Sequence, residues 1–358
     1  MKKILLTGGG TAGHVTPNLA LVPRLRAEGY EIVYVGSYKG IEKDLIEAEG
    51  IKYYGISSGK LRRYFDLKNF SDPFKVLKGY FEAKKVIRKE RPEIVFSKGG
   101  FVAVPVVYAA ARYKVPSIIH ESDITPGLAN KLCFKKAEKI CANFPETIKY
   151  LPSGKAVLSG SPIREKLFKG SRERGLKFTG LSGNKQIILV VGGSTGAVRV
   201  NDAIRDILPT LLRDYDIIHL CGKGKTDDEY NNTEGYRQYE FIGPELPDIL
   251  AAADIVISRA GANSLCELLA LAKPHILIPL SAEASRGDQI LNAESFEHQG
   301  FSYVLREENL TNEELLKAVR YVNDNRAKLV KAMRESKQGN AIDTIVNLIE
   351  TCRRKTGA

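Results

Sequence analysis

Cysteine is scarce and scattered in this chain. Among 358 residues there are five, Cys133, Cys141, Cys221, Cys266 and Cys352, an odd number without a C-x-x-C pair. That usage argues against a disulfide framework or a zinc site and suits a reducing cytoplasm. Long apolar runs are also missing. The longest, Phe101 to Ala111, contains Pro105 and falls well short of the roughly 18 to 20 residues a membrane-spanning helix needs. The opening Met1-Lys2-Lys3-Ile4-Leu5-Leu6 imitates a signal peptide, but Gly8-Gly9-Gly10 breaks it before an apolar region can form, so no secretion signal is expected. Low-complexity segments are absent, and acidic residues are in deficit. Lys and Arg number 54 against 42 Asp and Glu, a net charge of +12 that suggests an anionic partner: a phosphate-rich ligand, a nucleic acid or an acidic membrane surface.

What is present is the material of two cores. A hydrophobic content of 43% excludes global disorder, and the length exceeds what one hydrophobic core usually serves. The chain also repeats its opening. Ile4-Leu5-Leu6-Thr7-Gly8-Gly9-Gly10-Thr11-Ala12-Gly13 lines up without gaps on Ile188-Leu189-Val190-Val191-Gly192-Gly193-Ser194-Thr195-Gly196-Ala197. In each copy an apolar run of the kind shown by a parallel strand buried on both faces meets a glycine turn and then a helical pattern. Each half thus reads as a Rossmann-like α/β domain. Further strands are expected at Ile32 to Val35, Ile94 to Phe96 and Ser117 to His120, then at Ile217 to Cys221, Ile255 to Ser258 and His275 to Pro279. Turn chemistry at Pro152-Ser153-Gly154 and Ser159-Gly160-Ser161-Pro162 suits a hinge, placing domains at 1–162 and 163–340. Gly170 to Asn184 reads as a solvated loop, and an amphipathic helix is expected from about Ala341 to Cys352.

Gly8-x-Gly10-x-x-Gly13 satisfies the dinucleotide fingerprint, in which backbone N–H groups approach a pyrophosphate at a helix N-terminus. The fingerprint also requires an acid at the end of the second strand to hold a ribose, and Gly36-Ser37 stands there instead, which disfavours a nicotinamide oxidoreductase. The pattern leaves open a loop built for close approach to a ligand or a tight strand-to-helix turn. His14 directly follows, and at the carboxyl edge of an open sheet it is either a base or a structural histidine. The second glycine loop, Gly192 to Gly196, offers N–H groups and two hydroxyls, chemistry suited to phosphate. In Ser258-Arg259-Ala260-Gly261-Ala262-Asn263-Ser264-Leu265-Cys266-Glu267 a buried strand runs through a small-residue turn into a helix, and the Glu267 carboxylate suits two ribose hydroxyls. Together these point to a nucleoside diphosphate in the second half.

Gly-Gly-Gly-Thr-Ala-Gly-His at 8 to 14, Lys98-Gly99-Gly100-Phe101, His120-Glu121-Ser122, Pro126-Gly127-x-x-Asn130, Gly192-Gly193-Ser194-x-Gly196-Ala197, Ser258-Arg259-x-Gly261-Ala262 and Gly287-Asp288-Gln289 fall in order along essentially the whole chain. The set resembles the MurG family of GT-B glycosyltransferases. These enzymes move N-acetylglucosamine (GlcNAc) from UDP-GlcNAc to lipid I, the undecaprenyl-pyrophosphate-linked MurNAc-pentapeptide, giving lipid II of peptidoglycan synthesis. The resemblance implies two Rossmann-like domains facing a cleft, with the tail 341–358 packing back on the first. Thr11, Ala12 and Gly13 would lie near the sugar, Asp123 and Asn130 on the acceptor side, and Arg164 would reach the donor. Ser194 would hold a phosphate, Asn201 would line the cleft, and Ile242 would face the uracil. Ala262, Asn263, Ser264, Leu265, Cys266 and Glu267 would carry the nucleotide, and Gln289 would read the GlcNAc hydroxyls. The chain has Asp123 where many members of that family have Asn, and Asp288-Gln289 where some have a Gln pair. The implied reaction is an inverting displacement with His14 as base, Glu121 as the alternative, and neither cofactor nor metal. Asp214-Tyr215-Asp216 spells a D-x-D, but it precedes its strand, where a metal-binding motif would follow one.

A lipid acceptor requires docking at the anionic inner leaflet, on the cytoplasmic face of the cell membrane. Lys60 to Arg91 carries 11 basic and 4 acidic residues, most of the net charge of the chain. At 100° per residue Phe70, Phe74, Leu77 and Phe81 form one apolar stripe and Val76, Tyr80, Ala83 and Ile87 another. One stripe serves the core. The other, with Lys75, Lys78, Lys85 and Arg88 beside it, is either an interfacial anchor or buried as well. Two rivals remain: a relative acting on another lipid such as diacylglycerol, and a basic nucleic-acid-binding module. The basic segment lacks the patterns of the second, and no nucleic-acid partner is expected.

Overall fold

The computed structural model describes residues 2–59, 72–192, 197–282, 287–336, 338 and 341–354. Two compact units emerge, one from residues 1–164 together with 340–358 and one from 165–339, so the division falls between Arg164 and Glu165. The first holds strands β1 (Lys2–Thr7), β2 (Tyr30–Ser37), β3 (Lys52–Ile56), β4 (Ile94–Ser97), β5 (Ser117–Glu121), β6 (Lys139–Ala142) and β7 (Ala156–Leu158). All pair in parallel, in the order β3-β2-β1-β4-β5-β6-β7. The second unit has β8 (Gln186–Val191), β9 (Tyr215–Leu220), β10 (Tyr236–Tyr239), β11 (Ile255–Ser258), β12 (His275–Leu277) and β13 (Ser302–Val304), again parallel, in the order β10-β9-β8-β11-β12-β13.

The central strands are apolar without alternation because helices cover both faces. Ile4, Leu5 and Leu6 of β1 and Ile188, Leu189 and Val190 of β8 are all inaccessible to solvent. In the first unit one face packs on α1 (Thr16–Ala27) and α2 (Ile41–Glu47), the other on α3 (Asp72–Glu90) and α4 (Ala103–Arg112). The helix Ala341–Cys352 returns to this unit: Ile345, Val346 and Ile349 join Leu21, Leu25, Tyr30 and Ile94 in one core. Ile349→Ala would remove a fully buried side chain and leave a cavity, destabilising the first unit by about 2–4 kcal/mol. Chemical denaturation should show that loss, and an unchanged midpoint would mean the helix is dispensable.

Two expectations need correcting. The segment 170–184 is no solvated loop: Arg172–Thr179 is a helix, capped by the Ser171 hydroxyl accepting from the Arg174 N–H. Gly175 lets it press on the helix Leu246–Ala252, since a Cβ there would sit 2.5 Å from the Asp248 carbonyl oxygen. Its glycines and charges hid a contact face. In addition, the stretch between the turns at 152–154 and 159–162 is more than hinge: Ala156–Leu158 forms β7, the edge strand of the first sheet.

Candidate active site

In the first sheet the crossover direction reverses between β1 and β4, and ligands of open α/β folds bind in the crevice beyond such a point. The loops ending β1, β4 and β5 meet there. Gly100, in the left-handed region at φ +81°, brings the β4 loop so near the β1 turn that a Cβ on it would stand 2.4 Å from the Gly9 carbonyl oxygen. His14 ends a short 3-10 turn, its N–H bonded to the Thr11 carbonyl at 3.1 Å. Its Nδ1 lies 3.1 Å from the Lys98 carbonyl oxygen. A carbonyl only accepts, so Nδ1 carries the proton and Nε2 keeps the lone pair. Burial and the neighbouring Lys98 charge push the His14 pKa down to about 4, against the opposing Lys98 carbonyl bond and Glu42. The imidazole is therefore neutral at pH 7, the form that accepts a proton.

Lys98 is a fully buried lysine that sequence reasoning left without a role. Its ammonium donates to His120 Nδ1 at 2.8 Å and to Ser122 Oγ at 2.5 Å, while His120 Nε2–H donates to the Gly160 carbonyl at 2.8 Å. The available signal was its position, a charge directly after a buried strand and before Gly99-Gly100.

Glu121, the alternative base, is only 4% exposed. Its carboxylate accepts from the N–H groups of Ser122, Asp123 and Gly127 at 2.9, 3.1 and 3.0 Å and from Asn130 Nδ2 at 2.8 Å. Asn130, at the buried side of α5 (Leu128–Cys133), also bonds the His120 carbonyl at 3.1 Å. With so many donors already on it, Glu121 shapes the β5–α5 loop, a geometry that weighs against it as the alternative to His14. Asp123 is half-buried in that loop, Thr11 is exposed, and Gly13 is half-buried beside His14. Arg164 is half-buried, with its Nε lacking a hydrogen-bond partner among the described residues.

In the second unit the reversal falls between β8 and β11. Most of the glycine loop after β8, including Ser194, lies outside the described residues. After β11 the chain turns at Gly261 into the helix Ala262–Ala270, whose N-cap has no side chain to bond the first-turn N–H groups. Those groups lack intrahelical acceptors and form the positive end of the helix dipole. Asn263 and Glu267 are half-buried and Ser264 is exposed. Ala262, Leu265 and Cys266 point into the core, so any part they take in holding a nucleotide falls to the backbone.

The turn is fixed from below by Arg259, which donates to the Ile278 carbonyl at 3.1 Å and to Glu307 Oε1 at 2.7 Å. Burial alone would raise the Glu307 pKa, but the Arg259 bond and charge hold it below the usual carboxylate range. Gln289 Oε1 accepts from the Leu280 N–H at 3.1 Å, tying its helix to the loop after β12. Ile242 is half-buried in the loop beyond β10. Asn201 differs from expectation. It is 1% exposed, donates to the Cys221 carbonyl at 3.0 Å and accepts from His219 Nε2 at 3.0 Å. Its amide links β9 to the helix Val198–Asp206 and is not presented to a ligand.

Comparison with known proteins agrees with this layout. Residues 4–142 match the glycosyltransferase family 28 N-terminal domain and residues 187–348 its C-terminal domain. The chain is 65% identical over 355 residues to the UDP-N-acetylglucosamine--N-acetylmuramyl-(pentapeptide) pyrophosphoryl-undecaprenol N-acetylglucosamine transferase of Lachnoclostridium phytofermentans, covering 99% of this chain and 100% of that one. It is 63% identical over 350 residues to the protein of the same name from Lachnospira eligens, covering 98% and 99%. Among solved structures, MurG of Acinetobacter baumannii superposes with a TM-score of 0.76 at 26% identity, covering 98% of this chain and 100% of that one. A UDP-GlcNAc 2-epimerase from Neisseria meningitidis, at 12% identity and a TM-score of 0.70 over 98% and 100%, shares the fold alone. With both domains matched and close relatives along nearly its whole length, the chain belongs to glycosyltransferase family 28 and, within it, to the MurG glycosyltransferases.

Proposed function

We propose that this protein transfers GlcNAc from UDP-GlcNAc to the MurNAc 4-hydroxyl of lipid I with inversion, forming lipid II. The observation that carries the proposal is His14: a neutral imidazole at the reversal point of the first sheet, its Nδ1 occupied by the Lys98 carbonyl and its Nε2 left as acceptor. His14 Nε2 takes the hydroxyl proton, the oxygen attacks the GlcNAc anomeric carbon, and UDP leaves with the bonding electron pair. The N-terminus of the helix Ala262–Ala270, with Arg164 and Ser194, offsets the charge on the departing diphosphate. Glu267 and Ile242 hold ribose and uracil, Gln289 the sugar, while Glu121 and Asn130 support the acceptor loop. The deciding experiment gives radiolabelled UDP-GlcNAc to the enzyme in detergent, with a lipid I analogue or diacylglycerol and with EDTA present. Label on the lipid I analogue alone is the expected outcome. Label on diacylglycerol alone, or on neither while UDP still binds, would reject the acceptor assignment.

The protein works at the anionic inner leaflet, held by α3. Phe74, Leu77 and Phe81 are 76%, 54% and 52% exposed in one stripe, flanked by exposed Lys75, Lys78, Lys85 and Arg88. Ala83, Val86 and Ile87 face the core, so the stripe of Phe74, Leu77 and Phe81 is the spare one; Phe70 lies outside the described residues. No helix among the described residues is long and apolar enough to cross a membrane. A bilayer would take up the stripe by apolar burial and by about 1 kcal/mol for each basic side chain near the surface. The double variant F74E/F81E should bind vesicles rich in anionic lipid at least about tenfold more weakly, with turnover on a short-chain soluble acceptor unchanged. Undiminished vesicle binding would remove α3 as the docking element.

A further inference from the structure

Glu42 is a fully buried charge near the site that has no part in the reaction above. It lies in the first turn of α2 and is wholly inaccessible to solvent. Its Oε1 accepts the Ser37 N–H at 2.9 Å and the Ser37 hydroxyl at 2.5 Å, and its Oε2 accepts the Gly10 N–H at 3.2 Å. The space it fills exists only because glycines surround it: a Cβ on Gly9 would stand 2.5 Å from Oε1, and one on Gly40 2.0 Å from Oε2. A backbone N–H of a glycine-rich β1–α1 turn meeting an anion is the contact that dinucleotide-binding domains give to pyrophosphate. Here the anion belongs to the protein. The acid absent from the end of β2 stands five residues later, turned back beneath the glycine turn instead of outward to a ribose.

We propose that Glu42 is the positioning residue for His14, its carboxylate occupying the anion seat of the first glycine turn so that the turn presents a base instead of binding a nucleotide. The inference rests on the reading of His14 as the base. Gly10, whose N–H Glu42 holds, is followed by the single hydrogen-bonded turn that ends at His14, so fixing one end fixes the direction of the imidazole. The electrostatics agree. The charges facing His14 are Lys98 from the β4 end, which lowers its proton affinity, and Glu42 from α2, which raises it. Around Glu42 stand Ser37 and the phenols of Tyr34 and Tyr53. Burial would raise the Glu42 pKa, yet the Ser37 hydroxyl and the N–H groups of Ser37, Glu42 and Gly10 hold it below the ordinary value, so the seat stays anionic at pH 7.

The test is the pH profile of kcat and KM for E42Q, E42D and H14A with UDP-GlcNAc and a lipid I analogue. In E42Q the amide presents a donor to N–H groups and carries no charge. Its kcat should fall about tenfold or more, with KM for UDP-GlcNAc within about twofold and the acid limb of kcat moved down by about half a pH unit. E42D keeps the charge but retracts the carboxylate by one methylene. It should lose about threefold or more in kcat with the acid limb in place. A loss caused by loosened structure alone would not separate the two variants on the pH axis. Wild-type kcat and limb in E42Q beside an inactive H14A would overturn the role of Glu42 alone. Wild-type turnover in H14A would overturn the base and this inference with it. Should E42Q not fold, E42D decides: wild-type kcat in that variant overturns the positioning role.

Discussion

His14→Ala is expected to lower kcat by about 10² to 10⁴ while UDP remains bound, because it removes only the group that accepts the proton in the transition state. The side chain is half-buried, so its loss leaves a small hole at the surface of the crevice and not in the core. The nucleotide, on the proposed reading, is held by the second unit and does not sense the change. Binding of UDP followed by calorimetry should therefore match the wild type while the single-turnover rate collapses. The pH dependence has a definite sign. His14 is a base with a depressed pKa of about 4, so activity controlled by it falls only as the solution becomes strongly acidic and is flat through neutrality. An acid limb near the ordinary histidine value would mean that bound substrate, whose diphosphates place negative charge nearby, raises the proton affinity of the imidazole. Loss of UDP binding in H14A would recast His14 as a phosphate or structural group.

How much of this could be read from sequence follows the physics of each element. Strands buried on both faces announce themselves, because a run such as Ile188 to Val191 has no other use, and the paired glycine turns after β1 and β8 marked the two reversal points. The helix Ala341–Cys352 was legible from its amphipathic period, and its spare apolar face matches a core that lacked a cover. Residues whose role depends on long-range partners were not legible. Asn201 looks like any polar residue after a glycine loop, and only the arrival of His219 and the Cys221 carbonyl, about 20 residues on, makes it internal. Glu121 looks like a carboxylate at a strand end until the loop to Gly127 folds its N–H groups onto it. Glu42 was hidden by register: the fingerprint directs attention to the end of β2, and the carboxylate that matters enters from the next helix. The glycines at 9, 36 and 40 make room for it, which periodicity alone does not reveal.

Mild acid should weaken both units before most carboxylates are protonated, because the folded state keeps its histidines neutral. His120, His219 and His275 are inaccessible to solvent. Burial and the Lys98 charge drive the His120 pKa well below its ordinary value, against the Gly160 carbonyl. Burial and Arg205 push His219 down to about 3, and burial pushes His275 down to about 4 against the Lys273 carbonyl. In the unfolded chain each would titrate near 6.5. Between those values the unfolded state binds protons that the native state refuses, so stability is complete above about pH 6.5 and falls as pH drops toward 4. Each such histidine contributes a slope of about 1.4 kcal/mol per pH unit, and the second unit, with two of them, should lose about 3 kcal/mol per unit. From pH 6.5 to pH 5 that reaches about 3 kcal/mol, a large share of the stability of a typical domain. The first unit has His120 fully buried and His14 partly so, and shares the trend. Urea midpoints at pH 7, 6 and 5 should fall steeply, and H275Q, which removes one titrating group, should flatten the slope of the second unit by about half. Midpoints independent of pH over that range would show that the buried imidazoles are protonated in place, each cation compensated by a rearranged partner.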